Sequence, residues 1–148
     1  YESLNPSETF GDIMIDYSYV ECSSACLTAL RSFQKEFKDH RAAEIDRAVV
    51  RGRRFLKSIQ RKDGSWYGSW GVCFTYGTWF GIEGLIAAGE LPNSPFITRA
   101  VDFLIRNQNP NGGWGESYLA SVDKVYAEGG VQSLENETHA LGIGGSGV

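Results

Sequence analysis

The strongest constraint on this chain is a passage that occurs twice. Phe55, Leu56, Gln60, Gly64, Trp66 and Ser69 return 48 residues later as Phe103, Leu104, Gln108, Gly112, Trp114 and Ser117, in the same order and at the same spacing. Self-similarity at a period of 20 to 50 residues marks stacked structural units, each with a face that its neighbours must cover. The repeated unit reads as a helical hairpin: one apolar helix, one amphipathic helix, then Gln-x-x-x-Gly-x-Trp in the loop. The repeat predicts an all-α fold, and a chain holding about two units is incomplete as a closed assembly, which points to a piece of a longer protein.

The segments between the repeats fit this scheme. From Val20 the apolar positions Cys22, Cys26, Ala29, Leu30, Phe33 and Phe37 step by three and four, the spacing of one helical stripe. Asp39 is placed to cap a second helix whose face is Ile45, Ala48, Val49, Phe55, Leu56 and Ile59, ending near Gln60. Asp63-Gly64 marks a turn. From Thr75 a third helix carries Trp79, Phe80, Ile82, Leu85, Ile86 and Ala88 up to Gly89, apolar nearly all round and therefore expected to be buried on most sides. A fourth carries Ile97, Val101, Leu104 and Ile105 and stops before Pro110. Beyond Val131 the glycines Gly142, Gly144, Gly145 and Gly147 make 131–148 an atypical tail.

Net charge is −4 and spread along the sequence, so no basic block exists to hold nucleic acid. Cys22, Cys26 and Cys73 make an odd count, read as reduced thiols, and neither His40 nor His139 stands near them at a zinc-site spacing. The densest aromatic stretch, Trp66 to Phe80, lines either a core or a pocket, because such rings left in water forfeit the free energy of burial.

The passages Arg51-Gly52, Phe55-Leu56, Gln60, Gly64, Trp66 and Arg99-Ala100, Phe103-Leu104, Gln108, Gly112, Trp114 match the QW motif of the terpene cyclases, at 51–66 and 99–114. Gly11-Asp12-Ile13-Met14-Ile15-Asp16-Tyr17, Tyr19-Val20-Glu21-Cys22 and Gly68-Ser69-Trp70-Gly71-Val72-Cys73-Phe74-Thr75-Tyr76-Gly77-Thr78-Trp79-Phe80 narrow the resemblance to the eukaryotic oxidosqualene cyclases, lanosterol synthase-like, over about Asn5 to Tyr126. The resemblance implies that residues 1–148 are part of an α/α barrel, a toroid of helical hairpins, in a monotopic membrane enzyme of two such domains. Membrane attachment would come from parts outside this chain, and the implied location is the endoplasmic reticulum membrane or lipid droplets, facing the cytosol. The implied reaction is cyclisation of (S)-2,3-oxidosqualene to a tetracyclic sterol precursor such as lanosterol, started by protonation and needing no cofactor. The family's proton donor lies in an Asp-Cys-Thr-Ala-Glu motif that this sequence does not contain and that the resemblance places upstream of Tyr1.

Carried over residue by residue, the resemblance gives Cys22 the role of the thiol that hydrogen-bonds the acid. It gives Trp70 an aromatic face offered to carbocations, where cation–π attraction stabilises charge without a nucleophile's lone pair. Ile13 falls near the constriction of the substrate channel. Gln60, Gly64, Trp66, Gln108, Gly112 and Trp114 are structural: the amide is expected to satisfy orphan groups at helix ends and the indole to stack over it. On composition alone Trp66, Phe74, Tyr76 and Trp79 compete with Trp70, and Cys26 is expected in the core. Asp12 and Asp16 do not form the Asp-Asp-x-x-Asp cluster that would hold magnesium for diphosphate ionisation. The competing reading is a non-catalytic α/α repeat module that binds a hydrophobic ligand or a protein partner.

Overall fold

Hydrophobic spacing and helix punctuation set the architecture. The computed structural model describes residues 17–69 and 73–128. Within them the chain forms α1 (Val20–Glu36), α2 (Ala42–Ser58), α3 (Cys73–Ala87), α4 (Pro95–Arg106) and α5 (Leu119–Asp123). The expected all-α class holds, and the non-helical pairing among the described residues is one isolated antiparallel bridge between Glu116 and Glu128. Ile13, Trp70 and the 131–148 tail lie outside the described residues.

The helix starts are instructive. α4 begins as its sequence dictates, with Ser94 at the N-cap, its Oγ accepting the Ile97 N–H, and Pro95 in the first turn, where a missing N–H is harmless. Asp39, in contrast, does not cap α2. Arg41 occupies the N-cap in a left-handed conformation, φ 49°, and no side chain caps that end; its guanidinium instead holds Glu44 at 2.7 Å. α5 is a short helix that the apolar spacing did not reveal.

Packing overturns two expected faces. The α1 stripe through Cys22, Cys26 and Phe37 is exposed, and Val20, Glu21, Ser24 and Leu27 are buried instead. Cys26 is therefore not a core residue. The reason is backbone proximity: α1 lies against α3, where a Cβ on Gly84 would meet the Ser24 side chain, and against α2, where a Cβ on Gly52 would come within 2.7 Å of Leu27. The close approaches at Ser24–Gly84 and Leu27–Gly52 fix which face of α1 turns inward, and that face is not the one carrying Cys22 and Cys26. The same logic governs α3, whose buried face is Cys73, Phe74, Gly77, Thr78, Gly81, Gly84 and Leu85, while Trp79 and Ile86 are exposed. Its central position is as expected, with α1, α2, α4 and α5 all packed against it.

The α2 face appears as read. Ile45, Val49 and Leu56 join Val20, Leu27, Trp66, Leu85 and Ile97 in the main core, with Phe55 and Ile59 partly buried beside them. The polar side of α1 and α2 is tied by Arg31, which donates to Asp46 at 2.7 Å and to Gln34.

Lys57 of α2 reaches Glu90, just past α3, at 2.6 Å. Burial pushes the Glu90 carboxyl up, but hydrogen bonds from Lys57 and Ser94 and the charges of Lys57 and Arg53 together hold it below its ordinary value of 4.5. A carboxyl depressed in the folded state contributes stability above its ordinary value and loses that contribution as pH falls through the folded one. Glu90→Gln should therefore lower stability at neutral pH by about 1 kcal/mol or less, the range of partly exposed pairs. Urea midpoints of the two proteins should converge as pH is taken below 4.5; a constant gap down to pH about 2 would contradict the assignment.

Candidate functional site

The two QW loops repeat the same set of local hydrogen bonds. Gln60 Nε2 donates to the Gly64 carbonyl at 2.9 Å, and Gln108 Nε2 to the Gly112 carbonyl at 2.8 Å. The backbone pair Arg61 N–H to Ser65 O, 2.9 Å, recurs as Asn109 N–H to Gly113 O, 2.8 Å. Asp63 and Asn111 each accept the N–H two residues on at 3.0 Å, the side-chain-stabilised turn that these residue types favour. Trp66 Nε1 donates to Leu56 O and Trp114 Nε1 to Leu104 O, both at 2.8 Å.

This geometry reassigns the roles within the motif. Leu56 and Leu104 sit in the last turns of α2 and α4, where carbonyls lack intrahelical partners. The indole N–H, rather than the Gln amide, closes each helix end. The amide fastens the loop: Gln60 also donates to the Phe96 carbonyl in α4 at 2.8 Å and accepts from the Arg99 guanidinium at 2.6 Å. It thereby joins one hairpin to the next. In the second copy no described element covers this outward face, and Trp114 is 43% exposed where Trp66 is 0%.

The start of α3 follows the first QW loop and precedes the core aromatics. Two carboxylates converge on it from elements far away in sequence. Glu21, on α1 and 5% exposed, accepts the Ser69 N–H at 2.6 Å. Glu116, just past the second QW loop, accepts the Phe74 N–H at 2.8 Å and the Thr75 N–H at 2.7 Å, one with each carboxylate oxygen. The first-turn N–H groups and the helix dipole both favour an anion there. Between these anchors the Gly68 N–H donates to the Cys73 carbonyl at 2.8 Å. Burial pushes the Cys73 thiol up, a hydrogen bond with Tyr67 pulls it down, and the nearby Glu116 and Glu21 charges raise it further. Burial likewise raises the Tyr126 hydroxyl, with Glu116 and Glu128 adding to the effect.

Neither glutamate was singled out by the sequence analysis. A signal existed for Glu116: it occupies the position that Gly68 holds in the first copy, where the repeat breaks. Gly68 could not be replaced in kind, because a Cβ there would come within 3.0 Å of both the Cys73 carbonyl and Glu21 Oε1.

Of the residues assigned by resemblance, Cys22 lies in the first turn of α1, accessible and adjacent to Glu21. Phe74, one of the compositional competitors of Trp70, is fully buried and packs edge-on to Tyr67, centroids 5.6 Å apart. Tyr76 and Trp79 pack with Phe80 at 4.9 and 4.7 Å. An open cleft of about 290 Å³ lined by Tyr19, Val20, Ile59, Arg61, Tyr67 and Ser69 adjoins the Glu21 anchor. A larger recess of about 500 Å³, lined by Phe33, His40, Arg41 and Arg47 among others, lies toward the other end of α1 from Cys22. Among the described residues no group of three or more His, Cys, Asp or Glu is arranged to hold a metal ion. No described helix is long and apolar enough to cross a membrane.

Indole-stapled helical hairpins at a fixed pitch define a QW-repeat terpene cyclase scaffold. In agreement, residues 7–141 match the family described as squalene-hopene cyclase C-terminal domain, and the chain belongs to that family. Among individual proteins it is similar to cycloartenol synthase of Dictyostelium discoideum, 55% identical over 141 residues, which are 95% of this chain and 20% of the relative. Lanosterol synthase of Homo sapiens is 48% identical over 144 residues, with the same two coverages. Lanosterol synthase ERG7 of Saccharomyces cerevisiae is 46% identical over 128 residues, 86% of this chain and 17% of the relative. These relatives bear out the resemblance to the oxidosqualene cyclases. The chain spans about a fifth of the length of the relatives it matches.

Proposed function

We infer that this chain is part of an oxidosqualene cyclase, an intramolecular isomerase that converts (S)-2,3-oxidosqualene to a tetracyclic sterol precursor by protonation-initiated cationic cyclisation. The observation that carries the reading is 55% identity with a cycloartenol synthase across nearly the whole chain, on a scaffold whose QW loops are closed in both copies. In this reading the 148 residues are one segment of an α/α barrel domain, and the acid that protonates the epoxide belongs to another part of the protein. Cys22 acts beside that acid, Trp70 offers its ring to the developing cation and Ile13 narrows the substrate channel. No organic cofactor or metal enters the reaction. The whole protein sits on the endoplasmic reticulum membrane or on lipid droplets, facing the cytosol, and takes its apolar substrate from the lipid phase.

Trp70→Ala provides the test. In Dictyostelium discoideum cycloartenol synthase with this chain exchanged for the matching segment, a desolvated cation–π contact of about 2 kcal/mol corresponds to roughly thirtyfold in rate. The variant should lose about that much turnover of 2,3-oxidosqualene, or release incompletely cyclised products, as seen by gas chromatography of lipid extracts. Unchanged rate and product would remove Trp70 from the site. A chimera with no turnover while its folded yield matches the parent would favour the purely binding module.

A further inference from the structure

We propose that Cys22 and Cys26 form a two-thiol site on the exposed face of α1 for a thiophilic atom that two sulfurs satisfy, the chemistry of monosubstituted trivalent arsenicals, and that filling it takes Cys22 away from the acid. The effect on the acid rests on the cyclase reading of Cys22, whereas the site itself does not. Both cysteines are exposed and neither is in a disulfide, while Cys73 is buried in α3. They stand four residues apart within α1, about one turn of helix, and so share a face. The other face of that helix, with Val20, Glu21, Ser24 and Leu27, is the one packed inward. Beside the thiols the exposed residues include Ala25 and Ala29, small side chains that leave the sulfurs room.

Helix geometry decides what the pair can hold. Residues four apart on a helix have Cβ atoms about 5–6 Å apart, while a disulfide needs about 3.5–4.5 Å. A direct S–S bond would have to deform α1, but one atom bonded to both sulfurs bridges the larger gap. Ligand count narrows the choice further. Among the described residues no three His, Cys, Asp or Glu side chains are grouped to hold a metal ion. The adjacent carboxylate is turned elsewhere, since Glu21 is buried and accepts the Ser69 N–H at 2.6 Å. A zinc ion in a structural site takes a full tetrahedral set of ligands and is not satisfied by this pair. An arsenical R–As=O is: the two S–H bonds break, two As–S bonds form, and the oxygen leaves with both protons as water, with no change of oxidation state. Two thiols held on one helix also bind as a tethered pair, which raises affinity over a single thiol by about 10²–10⁴-fold.

The test uses the full-length chimera described above and its Cys26→Ala and Cys22→Ser variants, with phenylarsine oxide as the probe and excess 2-mercaptoethanol present to strip arsenic from single thiols. Arsenic retained per protein is counted by inductively coupled plasma mass spectrometry, the bridged peptide is located by mass mapping, and turnover of 2,3-oxidosqualene is followed in the same samples. The parent should retain one arsenic more than either variant, on the peptide that contains both cysteines, with an affinity about a hundredfold or more above that of Cys26→Ala. Its turnover should fall by about tenfold or more, since acid catalysis is worth at least that, and should return when 2,3-dimercaptopropanol is added. Cys26→Ala should turn over at the parent's rate and be spared by the probe. Equal arsenic in the parent and in Cys26→Ala would overturn the two-thiol site. A Cys22–Cys26 disulfide formed under oxidised glutathione would overturn the geometry on which the site rests. Bridged arsenic with unchanged turnover, or inhibition of Cys26→Ala equal to the parent's, would overturn the effect on the acid and leave the site standing. A parent chimera that turns over no 2,3-oxidosqualene would overturn the cyclase reading together with the effect on the acid, and the arsenic count would still decide the site.

Discussion

Trp66→Ala should destabilise this segment by about 4 kcal/mol or more, while the same change at Trp114 should cost about half as much or less. Removing a fully buried Trp costs about 3–5 kcal/mol through lost burial and the cavity left behind, and the Leu56 carbonyl would lose the donor that reaches it at 2.8 Å. An orphaned buried acceptor adds roughly 1–3 kcal/mol, though the two contributions do not simply sum. Relaxation into the cavity is limited because the ring lies on Gly81, where even a Cβ would collide with the indole. Trp114 makes the same bond to Leu104 but is 43% exposed, so its loss removes far less buried area. Trp66→Phe falls between: it keeps one ring in the core but removes the N–H together with part of the bicyclic ring, and should cost less than Trp66→Ala, about 1–3 kcal/mol. Urea unfolding of the chimera, followed by far-ultraviolet circular dichroism at matched protein concentration, measures all three. Equal losses for Trp66→Ala and Trp114→Ala would show that burial is not what separates the two copies.

Gly64→Ala and Gly112→Ala form the second pair. Both glycines have positive φ, 96° and 87°, a conformation that costs an L-residue roughly 1–2 kcal/mol. That penalty should appear at both sites. The two differ in their described neighbours: a Cβ on Gly64 would strike the Arg99 backbone in α4, whereas among the described residues nothing stands within 4 Å of the corresponding position on Gly112. Main chain cannot swing aside as a flexible side chain does, so Gly64→Ala must push α4 away. That movement strains the Gln60 bonds to Phe96 and Arg99 that hold the hairpins together. Gly64→Ala should therefore exceed Gly112→Ala by about 2 kcal/mol or more, in the range of overpacking effects. Its excess should show as faster amide exchange along α4. Identical losses would mean that the contact between hairpins contributes nothing at this point.

These pairs show how much of the molecule was readable in advance. The period of the repeat and the residues of the QW loop were legible because one turn chemistry is used twice: Gln60 and Gln108, Gly64 and Gly112, Trp66 and Trp114 make the same local bonds. The helices were legible from apolar spacing by three and four residues, as with Ile45, Val49 and Leu56 on α2. The buried faces of α1 and α3 were not. Apolar spacing ranks positions by side-chain hydrophobicity, yet Ser24, Gly81 and Gly84 are buried because helix or ring must come close there. Cys26, Trp79 and Ile86 are left outside although each is apolar.

The site divides along the same line. Family resemblance named Cys22 and Trp70 from contiguous words of sequence, and Cys22 stands in the first turn of α1. Glu21 and Glu116 could not be named that way, because each acts on backbone N–H groups more than 40 residues distant, and no local pattern records which N–H a carboxylate will meet.

By itself, then, the sequence determined the repeat, the helical class and the loop chemistry, all of which depend on interactions between residues a few positions apart. The tertiary structure alone decided which faces are buried, which QW copy is covered and what holds the start of α3. Those outcomes depend on how closely two backbones approach, and that distance is set only when the hairpins stack.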